Sequence, residues 1–310
     1  MKKVLILLGP TGAGKTGASI LLAEALDTEI ISADSMQIYR GMDAGTAKPT
    51  REERKAIRHH MIDVADPSGS FSAGRYIEEI VPVIDGLHKE GRIPLIVGGT
   101  GLYIKAVTRG IFSGPPADWD LREELLSLEE NNRGALYSWL REVDPRTAEK
   151  IEQNDTRRVL RALEVCLKSR RKMSFLQETL TRPLPYDFIK IGLTRERKEL
   201  YRIINERVDA MFREGLVAEV ERLLALHPDR APMQAIGYKE LFLYLNGTIA
   251  KKEAADLIKR NTRRYAKRQF TWFRREEGIE WVDITGIYDS RSVFAKIKSV
   301  LEALHPGVLK

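Results

Sequence analysis

The sequence contains a single cysteine, Cys166, among 310 residues. One thiol cannot close an internal disulfide, so stability must come from core burial, and a reducing cytoplasm is the expected compartment. Its setting, "RALEVCLKSR", reads as a helix face and predicts a buried structural thiol. No apolar stretch approaches the roughly 18 residues that a membrane span needs, so no membrane partner is expected. The "KKVLILL" start has the look of a signal peptide, but its apolar core is too short and runs straight into a glycine-rich loop. Histidines are sparse. The pair His59–His60 has no accompanying residues at metal-ligand spacing, which excludes a zinc site, and His88, His227 and His305 read as isolated surface residues. Internal repeats and low-complexity tracts are absent as well. What remains, 43% hydrophobic and 31% charged residues, is an ordinary globular composition with ample length for a core.

The first thing present is "GPTGAGKT", residues 9 to 16, directly after the aliphatic run "VLILL". Gly9, Gly14, Lys15 and Thr16 fit the spacing of a phosphate-binding P-loop, which also takes in Pro10, Thr11, Gly12 and Ala13. Glycines let successive backbone N–H groups turn inward onto an anion. The following "GASILLAEAL" has helical spacing, so its positive N-terminal end faces the same anion. Lys15 can reach a terminal phosphate, and the Thr16 hydroxyl can ligate Mg²⁺, the one cofactor expected.

The first hundred residues alternate between strand and helix patterns. "KVLILL", "TEIISAD" and "RIPLIVGG" read as strands; "GRYIEEIVPVIDGLHKE" and "GLYIKAVTRG" read as helices. Continuous aliphatic strands between helices predict an α/β fold with a parallel sheet covered on both faces. "FSGPP" at 112–116 breaks this pattern, and from Asp118 to about Thr181 every periodic segment reads helical. "RPLPYD" closes that block and "FIKIGL" resumes as a strand. The expected organisation is a core over 1–113 and 186–310 with an inserted all-helical subdomain over 114–185. One long helix over 195–226, a second over 249–278 and a last strand "IEWVDI" complete the chain.

Asp34 ends the second strand pattern, and ligands of parallel sheets gather at the carboxyl ends of strands. It has three candidate roles: an Mg²⁺ carboxylate, a general base or a helix N-cap. Thr100, in "IVGGTG", stands where a P-loop ATPase more usually carries an aspartate, which counts against a motor-type ATPase. Between Lys251 and Arg275 there are ten Lys/Arg residues and two acids, with Tyr265, Phe270, Trp272 and Phe273 interleaved. That pattern points to nucleic acid, with cations for phosphates and aromatics for bases. Arg157, Arg158 and Arg161 lie at helical spacing in "DTRRVLRALE", where a solvated charged face is an equal alternative.

Together "GPTGAGKT", "SADSMQIYRGMDAGTAKP", "IVGGTGLYIKA", "NDTRRVLRALEV", "QAIGYKE" and "TRRYAKRQFTWFR" resemble, in the same order, the motifs of the tRNA dimethylallyltransferases. The resemblance implies a P-loop NTPase-like core and transfer of a dimethylallyl group from its diphosphate to the exocyclic N6 of adenosine 37 in tRNA. It implies that the P-loop cradles diphosphate, that Asp34 is the base, and that Thr100 lies near the diphosphate and the amine. For tRNA contacts it implies Asp34, Ser35, Met36, Gln37, Thr100, Arg122, Arg157, Arg158 and Arg161. It extends these to Gln234, Gly237, Tyr238, Lys239, Lys267, Arg268, Gln269, Thr271, Trp272 and Arg274. The expected partners are the anticodon stem-loop and dimethylallyl diphosphate, and the expected state is a monomer. Three rivals stay open: a small-molecule P-loop kinase, an adenylate isopentenyltransferase and a non-catalytic RNA-binding protein. The cationic helix speaks against the first two, and the P-loop with Asp34 against the third.

Overall fold

Alternating aliphatic runs and amphipathic helices build the first half of the core. A computed structural model describes residues 2–309. In chain order come β1 (Lys3–Leu8), α1 (Lys15–Ala25), β2 (Ile30–Ala33), α2 (Arg51–Ala56) and β3 (His59–His60). Then follow α3 (Ala73–Lys89), β4 (Leu95–Gly98) and α4 (Gly101–Arg109). After an all-helical stretch, β5 (Asp187–Thr194) returns to the sheet. It leads to α10 (Arg197–Arg213), α11 (Leu216–Leu224), α12 (Arg230–Met233), α13 (Tyr238–Leu245), α14 (Lys251–Phe273), β6 (Ile279–Asp283) and α15 (Ser290–Leu304). The sheet order is β3-β2-β4-β1-β5-β6, and every neighbouring pair is parallel.

β1 lies inside the sheet between β4 and β5, which explains its unbroken apolar sequence. Val4 to Leu8 are all fully buried. Leu5 and Leu7 pack with Leu22, Ile191, Ile297 and Leu301 on one face. Each such side chain contributes about 1.5–3 kcal/mol of transfer free energy. A second apolar cluster joins Ile38, Tyr39 and Met42 to Val208, Val220, Tyr238, Leu241 and Ile258.

The chain divides into two compact units, residues 1–104 with 185–310, and residues 105–184. The second holds α5 (Trp119–Asn131), α6 (Ala135–Val143), α7 (Pro145–Ala148), α8 (Thr156–Ser169) and α9 (Met173–Leu180). Its own core of Leu125, Leu136, Leu140, Val159 and Leu163 makes it a self-contained helical body. It begins nine residues before the start at 114 that the sequence suggested, because the end of α4 groups with it. Cys166 is buried there, and burial raises its thiol pKa.

Three expectations need correcting. The segment 195–226 is two helices: Gly215 takes φ 93°, a left-handed conformation, and caps α11 where α10 has ended. His59 and His60 form an edge strand, too short to leave an alternating pattern. His88 is half-buried; its Nε2 bonds the Lys3 carbonyl at 2.8 Å and its ring packs on Tyr186.

Candidate active site

The site grows from the carboxyl ends of β1, β2 and β4. Gly14 adopts φ 79° as the N-cap of α1 and offers no side chain there, so the first N–H groups of α1 stay open to an anion. Thr16 is exposed beside them. Lys15 folds back, its Nζ donating to the Gly9 carbonyl at 2.9 Å and the Pro10 carbonyl at 2.8 Å. Burial, then the nearby Arg207 guanidinium, pushes the Lys15 pKa down to about 8, while Asp34 opposes the shift.

Arg207, on α10, was not among the residues singled out in the sequence. Its Nη1 donates to Thr11 Oγ1 at 3.2 Å and its Nη2 to the Thr46 carbonyl at 3.5 Å. Its Nε is buried without a partner, and burial lowers its pKa. Burial works against the charge of both cations, Arg207 lowers Lys15 further, and one polar hydrogen points at nothing, as suits an anion pocket. Arg207 carries no local motif, since it lies almost two hundred residues from the P-loop that it touches. Only the fold brings it there.

Asp34 follows β2 and does two things at once. Its Oδ1 accepts the Met36 N–H at 2.9 Å and the Gln37 N–H at 3.3 Å, capping a turn rather than a helix. Its charge also acts on Lys15, Arg207 and Tyr265, so the carboxylate faces the cationic pocket. Thr100, after β4, accepts the Ser35 N–H at 3.0 Å and so fixes the same turn. Tyr265 is pushed up to about 12 by burial and then by Asp34, with Thr100 and Gln269 bonds opposing.

The adjoining loop 43–46 is held from behind. Buried Glu219 accepts the N–H groups of Asp43, Ala44 and Gly45 at 2.9, 2.7 and 3.1 Å, and the Tyr238 hydroxyl at 2.6 Å. Thr46, next in that loop, presents its carbonyl to Arg207 and to Gln37. Tyr238 is therefore a fully buried support for the loop and is not placed to touch tRNA. Gly237 is buried with its N–H on Glu240, whereas Gln234 is exposed and Lys239 half-exposed.

On α14, Gln269 is buried and spends its amide inside the protein, accepting the Thr11 N–H at 2.9 Å and donating to the Gly99 carbonyl at 2.8 Å. It too is withdrawn from the set of direct tRNA contacts. Thr11 in turn has its N–H taken by Gln269 and its hydroxyl by Arg207, so the open anion donors begin after it. Trp272 lies half-buried against Gly101, where an added Cβ would sit 2.6 Å from the indole. Phe273 is fully buried and Phe270 stacks toward Trp281, so these two rings pack inward instead of offering faces for bases. The cations divide as well. Lys259 pairs with Asp209 and Arg263 bonds Asn205, but Arg260, Arg264, Lys267 and Arg268 are exposed without an acidic partner. Thr271 and Arg274 are exposed beyond them.

In the helical unit, Arg122 grips the fully buried Glu164 with two bonds of 2.9 Å, and Arg161 joins the same carboxylate. Burial works against the Glu164 charge, yet Arg122, the Asp118 N–H and Arg161 hold its pKa below the usual range. These two arginines hold the fold of the unit together, and both stay partly exposed. Arg157 and Arg158 remain exposed on α8. Among the described residues there is no cluster of three or more His, Cys, Asp or Glu fit to hold a metal alone, and no helix long and apolar enough to cross a membrane.

Comparison with known proteins places these features in context. The family model described as IPP transferase matches residues 37–276. A tRNA dimethylallyltransferase of Thermodesulfovibrio yellowstonii is 54% identical over 98% of this chain and 99% of its own length. One from Geobacter sulfurreducens is 47% identical over 94% and 96%. Among solved structures, the tRNA isopentenylpyrophosphate transferase of Bacillus halodurans aligns with a TM-score of 0.71 at 43% identity, covering 98% of each chain. A eukaryotic dimethylallyltransferase described as acting on tRNA aligns at 0.78 and 29% identity, over 98% of this chain and 80% of that one. With a family match across most of its length and close relatives spanning nearly all of it, the chain belongs to the IPP transferase family.

Proposed function

We propose that this protein transfers the dimethylallyl group of dimethylallyl diphosphate to the exocyclic N6 of adenosine 37 in tRNA. One observation carries the reading: Lys15 and the partly unpartnered Arg207 converge on an open helix N-terminus, with one carboxylate, Asp34, just after β2. The N6 lone pair attacks C1 of the allyl group. The C1–O bond breaks with its electron pair going to diphosphate, and an N6 proton passes to Asp34. Negative charge grows on the leaving group, where the first N–H groups of α1 and Arg207 would receive it, with Lys15 turning to it from the Gly9 and Pro10 carbonyls. Asp34 is held in place by the two turn N–H groups on its Oδ1.

The site fits Mg²⁺. The exposed Thr16 hydroxyl would hold the ion together with diphosphate oxygens and water, as Mg²⁺ prefers, leaving Asp34 free to act as the base. When bound, it neutralises part of the leaving-group charge. The partner RNA would lie on the exposed cations of α14, and a stacked adenosine must turn out to enter a pocket of this kind. A cytoplasmic monomer is the simplest setting for this activity. Radiolabelled dimethylallyl diphosphate incubated with tRNA is expected to deliver label to RNA without ATP. Release of ADP with a phosphorylated small molecule would favour a kinase, and efficient labelling of AMP an adenylate isopentenyltransferase.

A further inference from the structure

Gln269 stands out because its helix faces nucleic acid while its own side chain does not. Lys267 and Arg268 just before it and Thr271 just after it are exposed, yet Gln269 is only 7% exposed. Its amide spans the two loops that follow the paired strands β1 and β4: the P-loop through the Thr11 N–H, and the turn after β4 through the Gly99 carbonyl. Both ends are used in their correct sense, the carbonyl accepting at 2.9 Å and the amine donating at 2.8 Å. The fit is close, since a Cβ on Gly99 would lie 2.4 Å from Gln269 Nε2. The Gly99 turn leads into Thr100, which fixes Asp34's turn through Ser35. The P-loop end leads from Thr11 to Arg207.

We propose that Gln269 is a positioning residue for the transfer reaction, setting the phosphate loop against the turn that carries Thr100 so that diphosphate and base keep a fixed separation. This rests on the proposed function above. A buried amide with both groups satisfied is rigid, and losing it leaves one N–H and one carbonyl unpaired at the reacting centre. Small displacements there are costly, because a shift of about 1 Å can lower turnover by roughly 100-fold.

The test uses the full chain, with inorganic diphosphate as one probe and an anticodon stem-loop as another. Gln269→Met keeps the volume and removes both bonds. Its diphosphate affinity is expected to fall about tenfold and kcat by one to two orders of magnitude, with KM for dimethylallyl diphosphate raised. KM for tRNA is expected to stay near wild type, while the two unpaired groups lower the melting temperature modestly. Gly99→Ala, which pushes on the same amide from the other side, is expected to give the same split. Lys267→Ala is expected to give the opposite one, with tRNA binding weakened and diphosphate affinity kept. A direct tRNA contact would raise KM for tRNA in Gln269→Met and leave diphosphate binding intact, and that result overturns the proposal. So does a Gln269→Met protein that loses only melting temperature, or in which nothing changes. Diphosphate binding is read without any transfer, so an inactive wild-type protein would count against the proposed function and not against this role.

Discussion

At the scale of single residues, the two charged groups facing the P-loop make separable demands. Lys15 has its pKa lowered to about 8, so in the free protein it sheds its proton as pH rises through that value. Dimethylallyl diphosphate is already ionised by then, since a second phosphate proton leaves near pH ~6. Affinity is therefore expected to weaken as pH climbs from about 7 to about 9, measured by calorimetric titration, and the step is expected to vanish in Lys15→Ala. Asp34 can be split in a different way. Asn keeps an oxygen for the Met36 and Gln37 N–H groups but cannot take a proton. Asp34→Asn is expected to cut turnover by roughly 10²- to 10⁴-fold with the melting temperature unchanged. A turnover near wild type with a lower melting temperature would make Asp34 a cap alone.

At the scale of elements, α14 joins two chemistries on one helix. Its outer face carries unpaired cations and its inner face carries Gln269 and Phe273. Replacing Lys267 and Arg268 together by alanine is expected to weaken tRNA binding and to flatten its dependence on salt. Each lost phosphate contact removes about 0.7 to 0.9 from the log–log slope. The P-loop helix, the strand runs and the charge bias of α14 were legible in the sequence because each is a local pattern. Arg207 was not, because its meaning lies in a contact across the fold. Tyr238 and Gln269 sit inside motifs that suggest recognition, yet their polar atoms are consumed by Glu219 and by the loop backbones. Periodicity could not tell an inward polar residue from an outward one within the same turn. Nor could it find the break at Gly215, since apolar spacing runs on through both α10 and α11.

At the scale of the molecule, the two units keep separate cores, so damage to one need not reach the other's ligand. Glu164→Ala leaves Arg122 and Arg161 without their shared acceptor, and breaking a buried ion cluster from one side costs about 3 kcal/mol. Calorimetry is expected to show the helical unit melting earlier, while diphosphate binding by the sheet unit stays close to wild type. Loss of diphosphate binding at a temperature where the sheet unit remains folded would contradict that independence.

The order of strands also governs how the chain is made. β1 emerges before both of its partners, pairing on one side with β4 and on the other with β5, across residues 3–8 and 187–192. At a synthesis rate of about 5–20 residues per second, its second edge stays open for on the order of ten seconds or more. Throughout that interval "VLILL" is an apolar strand with unmet hydrogen bonds, the kind of edge to which other chains add. Because the helical unit is encoded between the two partners, it lengthens this wait. The closure itself costs little extra free energy, since loop entropy grows only with the logarithm of length. What the inserted unit demands of a growing chain is therefore time under protection, and chaperones that shield apolar strands are expected to act before residue 187 leaves the ribosome.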